Sequence, residues 1–204
     1  MRTLSFLLSL LSLAYSSFAL ANDNQSDAAV MKMKVFKFAV STSKACTDPI
    51  TIFSSVAGVE QDLLTSPTFG SGQVAAGTYP CVLIEVSKII HTQGTTLCTT
   101  EFPDVICNDN QLSQLIDGTS VTCTGGYDND QHVTLYINTL NTGNRGDRAL
   151  LPPSSETDTA SGLKLTSPFV VSSNVSGTLR VSPTNFIQQS NSQCGTQAPT
   201  FSFD

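Results

Sequence analysis

The stretch Val82-Leu83-Ile84-Glu85-Val86-Ser87-Lys88-Ile89-Ile90 is the most apolar run downstream of the N-terminal leader. Gly77-Thr78-Tyr79-Pro80-Cys81 leads straight into it. In an extended strand Val82, Ile84 and Val86 share one face, and Cys81, Leu83, Glu85 and Ser87 share the other. One wholly apolar face and one mixed face describe a strand covered mainly on one side. Pro80 has no N–H to donate and suits the first residue of such a strand. Gly77 supplies the backbone freedom of a tight turn. Tyr79 can bury its ring and still aim its hydroxyl at a backbone carbonyl, and a Tyr two residues before a core Cys is the arrangement of a tyrosine corner. Gly77 and Tyr79 are therefore read as a structural corner.

Residues 1–21 have the form of an export signal. Arg2 gives a positive start, Leu4 to Leu13 is apolar apart from serines, and Ala19-Leu20-Ala21 precedes Asn22 as a small-residue cleavage pattern. The apolar run is shorter than the ~20 residues a membrane helix needs, which argues against an uncleaved anchor. No Cys stands at the cleavage point to carry a lipid, and no second long apolar segment follows. The expectation is an exported chain, periplasmic, cell-surface or secreted, with no transmembrane segment in its mature part. Asn22 to Ala29 reads as a flexible leader and residues 30–204 as a single domain.

All six cysteines, Cys46, Cys81, Cys98, Cys107, Cys123 and Cys194, lie in that domain. An even count behind an export signal predicts three disulfides, with the pairing left open. A local Cys98–Cys107 bridge would staple the poorly patterned stretch 91–117. Zinc would need close pairs such as C-x2-C, and there are none. Charged residues are 13 % of the chain and the net charge is −6. No basic stripe of the kind that nucleic-acid binders carry is present.

The rest of the chain reads as short strands between turns rich in Gly, Pro, Asn and Ser. Val30 to Thr42 alternates Met31, Met33 and Val35 with lysines. Its apolar set then shifts to Phe36, Phe38 and Val40, a change of phase that a β-bulge produces. Lys32, Lys34, Lys37 and Lys44 read as a solvated face protecting a sheet edge rather than as a basic patch. Ile50 to Phe53 is a short strand. Val59 to Leu64 and Leu112 to Ile116 read as helical turns, the first ended by Ser66-Pro67. Thr119 to Thr124 and His132 to Thr139 are strands, the second with Val133, Leu135 and Ile137 inward, joined by a hairpin loop at Gly125 to Asp130. Leu140 to Ser161 is a polar, exposed loop. Gly162 to Val171 and Val175 to Val181 are strands joined by a turn at Ser172-Ser173-Asn174, and Thr200 to Phe203 closes the fold. The fold class is all-β, an antiparallel β-sandwich of immunoglobulin-like or transthyretin-like topology with one or two short helical turns. No Trp is present to pack on a core disulfide, so it is not an antibody-type domain.

Two stretches carry a resemblance: Phe69-Gly70-Ser71-Gly72-Gln73-Val74-Ala75-Ala76-Gly77-Thr78-Tyr79, and Gly162-Leu163-Lys164-Leu165 to Pro168-Phe169 with Leu179-Arg180-Val181. Together they resemble an uncharacterised family of bacterial exported and lipoprotein-borne β-sandwich domains with a Gly-Thr-Tyr turn before the central strand. The resemblance spans roughly residues 30–204. It implies compartment and fold, and brings no activity or catalytic residues. The chain departs from it in lacking a lipidation Cys and in carrying Ser182-Pro183 where such domains have an acidic strand end.

Chemistry is thinly represented. His91 and His132 are the histidines available as a general base near neutral pH. Gly118-Thr119-Ser120 faintly resembles a serine-nucleophile turn, but no G-x-S-x-G elbow exists. Asp128, Asn129 and Asp130 are weak calcium candidates, because a turn favours the same residue types. Arg145-Gly146-Asp147 is an integrin-type tripeptide in an exposed loop. Glu101 and Asp104 are the carboxylates that a glycosidase reading would use. The expected function is an exported, non-enzymatic cell-envelope or surface module with a binding or structural role and an unknown envelope or extracellular partner. The alternative is an extracellular hydrolase of envelope or extracellular polysaccharide. No cofactor, metal site or nucleic-acid partner is expected.

Overall fold

The computed structural model of the chain describes residues 24–65, 74–143, 148–172 and 179–203. The expected export signal, the Arg145-Gly146-Asp147 loop, the Ser66-Pro67 stop, most of the Ser172–Asn174 turn and the Phe69–Gln73 part of the resemblance lie outside these residues. The elements are β1 (Gln25–Ser26), β2 (Ala28–Ser41), β3 (Ile50–Asp62), β4 (Gly77–Tyr79), β5 (Cys81–Gly94), β6 (Phe102–Val105), β7 (Leu112–Gln114) and β8 (Ser120–Thr122). A 3-10 turn at Gly126–Asp128 follows. Then come β9 (His132–Asn138), β10 (Leu163–Lys164), β11 (Phe169–Val171), β12 (Leu179–Val181), β13 (Ile187–Ser190), β14 (Gln193–Thr196) and β15 (Phe201–Phe203).

The fold is all-β and sandwich-like. One layer is a main sheet of order β10-β9-β5-β2-β3, with β6 pairing the far end of β5. The other is a cover of small sheets: β1-β13-β14, β11-β4 and β12-β15. Pairing between the named strands is antiparallel except that β10 runs parallel to β9, and an isolated parallel bridge joins Leu165 to Phe201. Period-2 alternation sends Val82, Ile84, Val86, Val133, Leu135 and Ile137 to the inner face, where they join Met31, Met33 and Val35 of β2 in one core. The outer face of β5 is covered too, by a smaller cluster of Ala39, Cys46, Cys81, Leu83 and Tyr136.

The phase change in β2 is a bulge between Val35 and Lys37, present against both neighbours. Phe36 is the extra residue there. It does not join the inward set as expected, but stacks on His132 of the outer face with ring centroids 3.5 Å apart. The three lysines of β2 do not guard an edge, because β2 lies inside the sheet. Lys32, Lys34 and Lys37 instead pair with Glu101, Asp130 and Glu85.

Several local expectations are overturned by tertiary pairing. Val59 to Asp62 is strand and not helix. Lys34 pairs opposite Glu60 and Lys32 opposite Asp62, so opposite charges support the ladder. Gly58, at φ +71°, bulges the strand just before, and this local break hides its continuation. Leu112 to Gln114 is likewise a strand, paired with β8. Gly125 to Asp130 does not close a hairpin, since β8 pairs β7 while β9 pairs β5. Nor do β11 and β12 form one: their partners are β4 and β15. From Asn24 onward the expected leader is built into the fold. Ser26 and Ala28 are buried, β1 pairs with β13, and the Asn185 N–H donates to Asp27 Oδ1 across 158 residues of chain.

Three disulfides close the molecule: Cys46–Cys81, Cys98–Cys194 and Cys107–Cys123. The local Cys98–Cys107 bridge does not form, because the chain after Cys98 turns back along β5 as β6 and carries Cys107 to the other end of that pairing. Cys98 ties to β14 of the cover instead. These bridges indicate an oxidising compartment. Among the described residues no helix is long and apolar enough to cross a membrane.

Candidate functional site

Between the main sheet and the cover lies a cavity of about 340 Å³. Its floor comes from inward positions of the sheet: Met31 and Met33 of β2, Ile90 of β5, Leu135 of β9 and Leu163 of β10. Its roof is Ala149 and Leu150, with Phe186, Ala198 and Phe201 of the C-terminal segment. The buried members of this wall are aliphatic, aromatic or thioether side chains. The unbranched methionines adapt to an irregular space. Asn108, Gln111, Thr196 and Gln197 also line it, and they are exposed or half-buried, which sets them at the mouth. The volume lies toward the lower end of the range typical of small-molecule sites.

The roof is held by a carboxylate. Asp158 Oδ2 accepts from the Ser154 N–H (2.9 Å), the Ser154 and Ser161 hydroxyls (3.0 and 2.9 Å) and Arg148 Nη2 (3.0 Å). Its Oδ1 accepts from the Ala160 N–H at 3.0 Å. Led by the Ser154 N–H, these donors hold the carboxyl well below the usual carboxylate range. The sequence of Leu140 to Ser161 reads as a polar, exposed loop. In the structure it carries Leu150, 2 % exposed, into the core. The available signal was Ala149-Leu150-Leu151 ahead of Pro152-Pro153, an apolar trio in a polar setting. The paired methionines Met31 and Met33 were a second.

Tyr79 braces the cover from the other side. Its hydroxyl donates to the Ala75 carbonyl at 2.7 Å, its ring packs on Phe169, and Phe169 stacks on Phe203. Gly77 does not need glycine's freedom. It is a β4 residue opposite Val171 without a positive φ, and an added Cβ would make only ordinary contact with the Tyr79 ring.

The residues singled out for chemistry are dispersed. Glu101 reaches Lys32 (2.9 Å) and His91 (3.8 Å) on the outer face. Asp104 sits opposite Ile90 on the inner side, accepting from the Val105 N–H and the Thr196 hydroxyl, both at 2.8 Å. The two carboxylates therefore do not face each other across a cleft. His132 lies 3.5 Å from the buried carboxylate of Glu85, which Lys37 also approaches at 3.4 Å. The Ser87 hydroxyl, in register with His132, is taken by the Asp130 carboxylate. Ser120 is the exposed first residue of β8. Tyr136 donates to the Gln114 carbonyl at 3.1 Å, and burial pushes its phenol up. Lys88 is fully buried, with Nζ donating to the Thr124 carbonyl at 2.5 Å, and so pins the segment after β8 to β5.

The calcium candidates fare no better. Asp128 ends the 3-10 turn, Asn129 follows in extended conformation, and Asp130 is taken by Ser87 and Lys34. Among the described residues no group of three or more His, Cys, Asp or Glu is placed to hold a metal ion. No family model, curated protein or solved structure matches this chain.

Proposed function

We propose that this protein is an exported, non-enzymatic binding module of the cell envelope or cell surface, and that its ligand is a small, largely apolar molecule held between the two layers. The observation that carries this reading is the cavity, whose buried wall is apolar and whose polar lining residues are exposed or half-buried. That is the usual construction of a small-molecule site. The three disulfides and the Leu4–Leu13 leader support export, and the resemblance to exported β-sandwich domains supports the same compartment. The polysaccharide-hydrolase alternative draws no support from Glu101 and Asp104, which are engaged on different sides of the sheet.

Titration with the neutral fluorescent probe N-phenyl-1-naphthylamine tests the proposal. Saturable enhancement at one site per chain is expected. Ala198→Phe, which fills the cavity from its half-buried rim, should weaken binding about tenfold or more while leaving thermal unfolding cooperative. Non-saturable enhancement, or a filled variant that binds as well as wild type, would show that the cavity is only a packing void.

A further inference from the structure

We infer that the cavity takes an uncharged single-chain amphiphile, with its hydroxyl or carbonyl head among Asn108, Gln111 and Gln197; this rests on the binding reading above. The wall comes first. Among its described residues there is no charged side chain. An ionised head drawn inside would be stripped of water without a counter-charge, which is heavily disfavoured. The apolar tail of an amphiphile meets no such penalty against Met31, Met33 and Leu163, and it gains by leaving water.

The mouth then selects the head. Asn108, Gln111 and Gln197 present carboxamides, each with two donor hydrogens and an acceptor oxygen. Gln111 is positioned by the Asn108 N–H, which donates to its Oε1 at 3.0 Å. A hydroxyl or carbonyl is matched by such groups without any transfer of charge. A negative charge stands beside this rim, since the Thr196 hydroxyl donates to Asp104 Oδ2 at 2.8 Å. Lys32, Lys34 and Lys37 are committed on the outer face of the sheet, paired with Glu101, Asp130 and Glu85. A carboxylate head would therefore face the Asp104 carboxylate, with no cationic side chain among the described lining residues. A cationic head would find one carboxylate, already accepting from Val105 and Thr196.

Displacement of bound N-phenyl-1-naphthylamine by three C12 compounds at pH 7.5 tests the inference: 1-dodecanol below its solubility limit, and dodecanoate and dodecyltrimethylammonium below their micellar concentrations. Dodecanol should displace the probe at a concentration lower than either ion by about tenfold or more. If either ion matches dodecanol, or if dodecanol fails to displace a bound probe, the head-group inference falls while the cavity reading stands. If the probe itself does not bind, both fall. Asn108 is exposed, so Asn108→Lys should fold normally. It is expected to weaken displacement by dodecanol, whose hydroxyl loses a carboxamide partner, and to improve displacement by dodecanoate about tenfold. No gain for dodecanoate would show that the head lies elsewhere.

Discussion

In the main sheet β2 and β5 each run for 14 residues, whereas no strand of the cover exceeds four. The long strands share an extended ladder and a continuous alternating face, so each residue added lengthens both. Short pairs such as β11–β4 and β12–β15 cannot stand alone, since even an isolated hairpin is marginal in water. They are held by other means: the Cys98–Cys194 bridge, the Tyr79 hydroxyl, the Asp158 hub and the aromatic row of Tyr79, Phe169 and Phe203. One layer is a cooperative lattice and the other is an assembly of point attachments. The cavity lies where the two meet, beneath the layer that is attached piecemeal.

The comparison can be broken by removing attachments one at a time. The largest effect is expected from Cys98→Ser with Cys194→Ser. That bridge spans 96 residues, and a loop of this size is worth about 4–5 kcal/mol in the chain-entropy account. Urea unfolding should show the loss. Hydrogen exchange should show protection falling in β13 and β14 while the centres of β2 and β5 keep theirs. Equal loss in β5 would mean the layers are one unit after all.

Tyr79→Phe comes next. It leaves the Ala75 carbonyl without its partner and should destabilise by about 1–3 kcal/mol.

Asp158→Asn follows, at about 1–2 kcal/mol near pH 7, through weakened charge-assisted bonds. Because the folded carboxyl titrates below its unfolded counterpart, its contribution is fully present above about pH 4. It fades as the pH falls through the lower folded value. Unfolding measured at pH 7 and pH 3 should therefore bring wild type and variant closer together at the acid value; a constant gap would remove the carboxylate from the account.

The smallest effect should be at Gly77. With no positive φ and room for a Cβ, Gly77→Ala should change stability by no more than about 0.5 kcal/mol in the same assay. A larger loss would mean that β4 tolerates no side chain beside Tyr79.

The same division decided what the sequence could disclose. Val82, Ile84, Val86, Val133, Leu135 and Ile137 announced their face by alternation, and the shift after Val35 announced its bulge. These signals are local and repeat along the chain. The cover gave no such signal, because two to four residues are too few to show a period and because its partners are distant. Nothing near Phe169 says that it will lie against Tyr79, and nothing near Cys98 names Cys194. The cavity was hidden for a related reason. Its wall draws single residues from the sheet, the 148–161 loop and the C-terminal segment, and only folding brings them together. Phe36 shows the limit within the sheet itself: alternation put it inward, and the bulge that the sequence revealed turned it onto His132.

The pairing of β1 with β13, and of Asp27 with Asn185 beside it, sets a timetable. At ordinary rates of synthesis the 158 residues between these partners take on the order of 10–30 s to appear. Over that interval β2, β3 and β5 can pair as soon as they emerge, but β11 to β15, which make up most of the cover over their apolar face, have not yet been made. A half-finished molecule is then a sheet with one bare, sticky side. Its hazard of clumping with its neighbours belongs to that waiting period more than to the completed protein, and ends when the last few dozen residues arrive.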